Sequence, residues 1–211
     1  MGLARLGSLM GSLLSPALCS ACDEPVRMRA AFCPACEPSL IAETERGEHV
    51  AAFEYGGAIA RAITRYKYES QPWLGVTLGG LAASAVSRVA RPFDLVTHVP
   101  LHAERLAERG YDQSALLARE VARAAKRPLQ YALAVRVRRT DQQARKNRAG
   151  RFANVADAFR ANTREIGRFE GSSVLLVDDV RTTGATLSAC AHALRAAGVG
   201  DVQTLVLARD T

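Results

Sequence analysis

The chain has 211 residues, 48% of them hydrophobic and 23% charged, proportions that build a packed core and exclude a disordered, collagen-like or coiled-coil polypeptide. Its 28 Lys and Arg against 21 Asp and Glu give a formal charge of +7, which favours anionic partners. One Trp and an aromatic share of 6% argue against a nucleic-acid platform made mainly of stacked rings.

In residues 1–18, Leu3, Leu6, Leu9, Leu13 and Leu14 recur at helical spacing, which predicts an amphipathic helix in preference to a secretory signal. No run of about 18 apolar residues follows, so no membrane span is expected. Two CxxC pairs come next, Cys19 with Cys22 and Cys33 with Cys36. Each CxxC turn can aim two thiolates at one point, and two turns supply the four-sulfur set that Zn2+ prefers. With all four positions filled by protein, the zinc is expected to be structural. Two disulfides or a redox CxxC are the competing readings, and the phosphate-handling character of the remaining chain favours free thiols and a cytoplasmic location. Pro25, Pro34 and Pro38 punctuate a segment with few large apolar residues, so metal binding would supply its folding energy. Residues 37–48, with four Glu and no aromatic ring, read as a linker.

From residue 50 short apolar runs alternate with helical stretches, the rhythm of an α/β fold with a mostly parallel sheet. Strands are predicted near 49–54, 94–99, 132–138, 173–177 and 202–208, and helices near 57–68, 73–90, 113–125 and 184–197. The expected division is an appendage over 1–40, comprising the amphipathic helix and the cysteine module, and a domain over 50–211. Cys190, alone in an Ala-rich helical stretch, reads as a small core residue. Between strands, residues 136–151 hold seven Lys and Arg and one Asp, so this segment carries +6 and the remaining residues sum to +1.

The segment VLLVDDVRTTGATL (174–187) carries the chemistry. An apolar strand ends on two carboxylates, and a Thr/Gly-rich turn opens a helix at the carboxyl edge of the sheet, where α/β folds bind ligands. Thr182, Thr183, Gly184, Ala185 and Thr186 offer successive backbone N–H groups and three hydroxyls at a helix N-terminus, a cradle for phosphate. Asp178 and Asp179 would repel a phosphate that they faced, so sugar hydroxyls or Mg2+ suit them better.

This segment resembles the phosphoribosyl pyrophosphate (PRPP) signature of type I phosphoribosyltransferases. Nearly the whole chain is similar to the ComF family, related to the competence proteins of bacterial DNA uptake. The similarity rests on the cysteine pairs, AFEYGGAIARAITRYKYES (52–70), HVPLHAERLAERGYDQSALLA (98–118), the spacing of Gln143, Arg151, Asn154 and Phe159, and the closing LVLARD. It implies a phosphoribosyltransferase-type sheet with an N-terminal four-cysteine zinc ribbon, Asp178 and Asp179 as the ribose-hydroxyl pair, and residues 182–186 as the 5'-phosphate loop. Pro100, Leu101 and His102 fall where the family has its pyrophosphate loop, with Arg105, Arg109, Lys67 and Arg151 as further cationic candidates. GYDQ (110–113) departs from the family's usual GFNQ by placing Asp112 where an amide is usual, which would weaken pyrophosphate binding if the side chain faced it. The basic segment corresponds to a loop that closes over substrate in phosphoribosyltransferases, and Mg2+ would accompany PRPP. Three activities fit: phosphoribosyl transfer, single-stranded DNA binding as an accessory of the DNA-uptake proteins, and PRPP-responsive regulation.

Overall fold

A computed structural model describes residues 17–27, 30–138 and 157–210. Residues 1–16 of the expected amphipathic helix, and Gln143, Arg145, Lys146, Arg148, Arg151 and Asn154 of the basic segment and its flank, lie outside them.

The described chain begins with a small antiparallel pair, β1 (Ala17–Leu18) and β2 (Pro25–Val26), so the last two residues assigned to the N-terminal helix are extended. After a 3-10 turn at Glu37–Ser39 come β3 (His49–Glu54), α1 (Gly57–Tyr68), α2 (Leu74–Ala83) and β4 (Leu95–His98). Then follow α3 (Ala103–Arg109), α4 (Gln113–Ala125), β5 (Ala134–Arg136), β6 (Phe159–Ala161), α5 (Thr163–Ile166), β7 (Val174–Arg181), α6 (Ala185–Ala196) and β8 (Val202–Arg209). The main sheet has the order β3-β8-β7-β4 and is parallel throughout.

Alternation along β7 sorts the core into two halves. Leu175 and Val177 pack with Ile59, Ile63, Leu78, Leu117 and Val121 of α1, α2 and α4. Val174 and Leu176 pack on the other face with Leu187, Cys190 and Leu194, which repeat along one stripe of α6, and with Phe159 and Ile166. Cys190 is fully buried, and burial pushes its thiol up, so it is the core residue the sequence suggested.

Besides α3, β6 and α5, which the sequence pattern does not mark, three expected segments are corrected by the structure. The helix expected over 73–90 stops at Ala83 and gives way to a 3-10 turn at Val86–Arg88. β7 does not end at Val177: Asp178 pairs with Val206, Val180 with Ala208 and Arg181 with Arg209, so both carboxylates lie inside the strand. Ladder pairing with β8 outweighs the low intrinsic strand preference of Asp. Residues 37–48 are not a loose linker either. Glu43 N–H donates to Ala52 O and Glu54 N–H to Ile41 O, tying the segment to the edge of β3, while Arg209 forms ion pairs with Glu43 and Glu45. Cys19, Phe32, Cys33 and Cys36 share one apolar cluster with α1 and β3, so the cysteine module is packed on the sheet domain.

Candidate ligand site and cysteine centre

β4 and β7 are neighbours, and Val99 N–H donates to Val177 O at 3.0 Å. Their exits therefore stand side by side at the carboxyl edge: residues 99–102 lead into α3, and residues 182–184 lead into α6. A hollow at the second exit is lined by Asp178, Val180, Arg181, the TTGAT residues and Leu187. Gly184 caps α6 with φ of +76°, in the left-handed region that an L side chain adopts only at a cost. Ala185 N–H reaches Thr183 Oγ1 at 3.5 Å, and Ser188 N–H donates to Gly184 O at 2.9 Å. Among the described residues, the amides of Thr182, Thr183 and Gly184 have no hydrogen-bond acceptor. With the positive end of the α6 dipole behind them, they can accept an anion.

The two carboxylates, consecutive in the strand, have different partners. Asp178 is buried and accepts the Ser114 hydroxyl at 2.6 Å and Asp179 N–H at 2.9 Å. Burial, helped by the neighbouring Asp179 charge, pushes its carboxyl up to about 7. Asp179 offers Oδ1 to Lys67 Nζ at 2.8 Å, while its Oδ2 is buried with no hydrogen-bond partner. An unpaired buried carboxylate oxygen carries a desolvation cost that a hydroxyl or cation would relieve.

On the β4 side, His98 ends the strand, with Nε2 3.6 Å from Asp112 Oδ2 and Nδ1 buried and unpartnered. Asp112 caps α4: it accepts Ala115 N–H at 3.0 Å, and its other oxygen accepts Leu101 N–H at 2.9 Å. The acid in GYDQ is thus occupied by backbone donors. The usual Asn suits the same position because both residues are good N-caps. Burial works to raise the Asp112 carboxyl, but the facing His98 ring and hydrogen bonds from Leu101 and Ala115 together hold it below its ordinary value of 3.8.

A group held low in the folded state contributes stability above its unfolded value, and that contribution fades as pH falls through the folded one. Asp112→Ala is expected to cost about 2 kcal/mol, or 4–8 °C in a chain of this size. Asp112→Asn should retain most of that at pH 7, and the gap to wild type should narrow below about pH 4. Thermal unfolding as a function of pH reads both effects. Equal melting of Asp112→Ala and wild type at pH 7 would exclude the capping role.

The cationic candidates are placed as follows. His102 caps α3 through Nδ1, 3.4 Å from Glu104 N, and its backbone forms a bridge with Arg136 of β5. Arg109 donates to Gln113 Oε1 and lies 5.7 Å from the ring centroid of Tyr68, and Arg105 is half-buried on α3. Lys67 belongs with the acid pair through its contact with Asp179. The roots of the basic segment are joined, since β5 pairs antiparallel with β6 and Val137 N–H donates to Ala158 O at 2.8 Å. Ser114, His98 and Tyr66 escaped the sequence reading. The histidine at the end of the short strand Leu95–His98 was the one usable signal.

The second centre is formed by Cys19, Cys22, Cys33 and Cys36, whose sulfurs all lie within 4.8 Å of one another. The turn of the first pair is closed by Asp23 N–H to Cys19 O at 3.1 Å, and that of the second by Cys36 N–H to Cys33 O at 3.0 Å. Cys22 Sγ is 3.7 Å from both Cys33 Sγ and Cys36 Sγ, and all four thiols are free. A tetrahedron with metal–sulfur bonds of about 2.3 Å has edges of about 3.8 Å, so the set can hold a metal ion. Burial acts to raise the Cys19 thiol, yet backbone donors of Cys33 and Ala21 and the Cys22 thiol lower it, and the same sulfur contact raises Cys22.

Competence protein F of Haemophilus influenzae is 31% identical over 196 residues, covering 90% of this chain and 84% of that protein. The chain belongs to the ComF family. Competence protein ComFC of Streptococcus pneumoniae is 26% identical, covering 91% of this chain and 87% of its own length. The family model of the phosphoribosyl transferase domain matches residues 112–211, which contain Asp112, the acid pair and the TTGAT loop of this ComF chain. Among solved structures, the glutamine PRPP amidotransferase of B. subtilis, complexed with ADP and GMP, aligns at 24% identity with a TM-score of 0.40. That alignment covers 62% of the ComF chain and 25% of the amidotransferase, so the chain spans about a quarter of that protein's length. Among the described residues, no helix is long and apolar enough to cross a membrane.

Proposed function

We propose that this ComF-family protein binds PRPP, or a closely related phosphoribosyl ligand, with Mg2+ at the carboxyl edge of β7, and that it serves DNA uptake, the process to which its competence relatives owe their names. The observation that carries this reading is the buried, unpartnered Oδ2 of Asp179 in the strand that runs directly into a helix N-terminus with open amides. In it, residues 182–186 take the 5'-phosphate and Asp178 and Asp179 face the ribose hydroxyls. His102, Arg105 and Arg109 stand on the pyrophosphate side. Asp179 Oδ2 is a hard oxygen donor suited to Mg2+, which commonly binds one or two carboxylates together with substrate phosphates. When bound, Mg2+ would neutralise charge on the pyrophosphate. The residues around it bind and orient the ligand, and none is placed as a covalent nucleophile. The proposed architecture is a phosphoribosyltransferase-like unit over 50–211 preceded by a zinc module over 1–40, with Zn2+ on the four cysteines in a structural role. Their free thiols suit a cytoplasmic setting.

Calorimetry of the full-length protein with PRPP and Mg2+, set against ribose 5-phosphate and pyrophosphate alone, tests the ligand. Binding of PRPP with Mg2+ above both fragments is expected, and absence of binding heat together with absence of a thermal shift would overturn the reading. A pyrophosphate-release screen over free bases and ammonia then separates transfer from a purely regulatory use of the ligand.

Gly184→Ala supplies a local check. The left-handed backbone costs an L residue about 1 kcal/mol, and relaxing it turns the loop amides away from the phosphate. Affinity for PRPP is expected to fall about tenfold, with a melting loss of about 2–4 °C. Unchanged affinity would remove the loop from the site.

A further inference from the structure

Helix α1 touches both centres of the molecule. At its N-terminus, Ser39 Oγ accepts Ala58 N–H at 2.9 Å and donates to Cys36 O at 2.8 Å. This close approach requires Gly57, whose φ is +48° and where a Cβ would fall 2.5 Å from Ser39 O. One turn on, Arg61 Nη2 lies 3.4 Å from Cys36 Sγ. Arg65 is 7% exposed; its Nη1 donates to Cys19 O and Ser20 O, both at 3.2 Å, and its Nη2 grips the Asp23 carboxylate. All three acceptors belong to the turn of the first CxxC pair.

The last turn of the same helix reaches the ligand site. The Tyr66 hydroxyl donates to Gln113 O at 2.9 Å, Tyr66 O accepts the Tyr111 hydroxyl, and Lys67 holds Asp179. Arg65 and Lys67 are two residues apart, about 3 Å along the helix axis. A helix is stiff over that distance, so the position of the first sets that of the second.

We propose that Arg65 is a positioning residue that couples the cysteine centre to the phosphoribosyl site, so that metal occupancy and ligand binding favour each other. This rests on the reading of both centres given above. When the Cys19–Cys22 turn is closed by its metal, its carbonyls converge on the guanidinium. When the turn opens, the buried guanidinium keeps only Glu69 of its own helix, 3.2 Å from Nε, and loses its three acceptors in the turn, a costly state that α1 relieves by shifting. Tyr66 and Lys67 shift with it, and Asp179 loses its partner. By linkage, a ligand that holds Asp179 and its surroundings in the bound arrangement must tighten metal binding by the factor that the metal tightens the ligand.

The test uses the full-length zinc-loaded chain. In one arm, zinc transfer to the chromophoric chelator 4-(2-pyridylazo)resorcinol is timed with and without saturating PRPP and Mg2+. Transfer is expected to slow about fivefold or more in wild type. It should be insensitive to ligand in Arg65→Lys, which keeps the charge but loses the forked donor geometry. In the other arm, amide hydrogen exchange is followed with no ligand present. Withdrawal of zinc should raise exchange about tenfold over residues 66–69 and 111–115, while α6 and β8 keep their rates.

A wild-type chain that binds PRPP but releases zinc at the same rate with and without it overturns the coupling. So does zinc withdrawal that leaves residues 66–69 unchanged, or that accelerates exchange uniformly, the mark of a merely structural metal. Failure of PRPP to bind is read separately by calorimetry and refutes the ligand assignment, while the exchange arm still decides whether α1 carries the state of the cysteine centre to Lys67. Both wild-type arms stand if Arg65→Lys does not fold.

Discussion

Asp179→Asn is expected to lower affinity for PRPP with Mg2+ by about 30- to 150-fold, the loss of about 2–3 kcal/mol from one charge-assisted contact. The substitution keeps the shape of the side chain and removes the charge that Oδ2, buried and unpartnered, holds ready for a hydroxyl or cation. It also leaves Lys67 facing a neutral amide at a position where the lysine side chain is 20% exposed, so a stability loss of about 1–2 kcal/mol accompanies it. Lys67→Met separates the two effects, because it breaks the same ion pair while keeping the carboxylate. Calorimetry of both variants beside wild type, with melting temperatures measured on the same preparations, makes the comparison. If Asp179→Asn binds PRPP as wild type does, the carboxylate has no part in the ligand site.

Cys33→Ser is expected to have the largest effect on folding. Cys33 is 2% exposed, its carbonyl accepts Cys36 N–H and Glu37 N–H, and its sulfur is 3.7 Å from that of Cys22, so it is both a candidate ligand and the frame of the second turn. Structural zinc contributes on the order of 10–16 kcal/mol to the folding of small zinc peptides. Here the module is also held by Phe32 in the core and by Arg65, so part of its packing survives metal loss. A loss of at least about 3 kcal/mol, or about 6–12 °C, is the expected outcome, together with zinc content well below one equivalent. Elemental analysis and thermal unfolding measure both. A variant that retains zinc and melts with wild type would rule out this cysteine as a ligand.

The strands at 49–54 and 202–208 and the helices at 57–68, 113–125 and 184–197 were legible because their patterns are local. Apolar stripes recur at helical spacing, apolar runs are bounded by Gly or Pro, and each element buries the residues its pattern marks. The helix over 103–109 was missed because its sequence AERLAER has no buried residue and therefore no stripe. β6 has three residues, too few to show a period, and its existence depends on pairing with β5. The end of β7 was misplaced for a related reason: Asp178 and Asp179 look like a strand terminus until Val206 and Ala208 are seen to continue the ladder.

In the candidate site, residue types were readable and partnerships were not. The two CxxC pairs and the acid–acid–TTGAT order suggest their chemistry locally, since a turn of three or four residues already brings the thiolates or amides together. Whether Asp112 faces a ligand or a helix end, and which acid Lys67 meets, depends on contacts between segments 11 to 112 residues apart in sequence. Such contacts arise only when the sheet order sets β4 beside β7 and the packing of α1 brings its last turn to the same edge. Composition located most of the net charge in one segment. Tertiary structure brought one root of that segment, Arg136, to His102, because β-bridge partners are chosen by the fold and not by chain proximity.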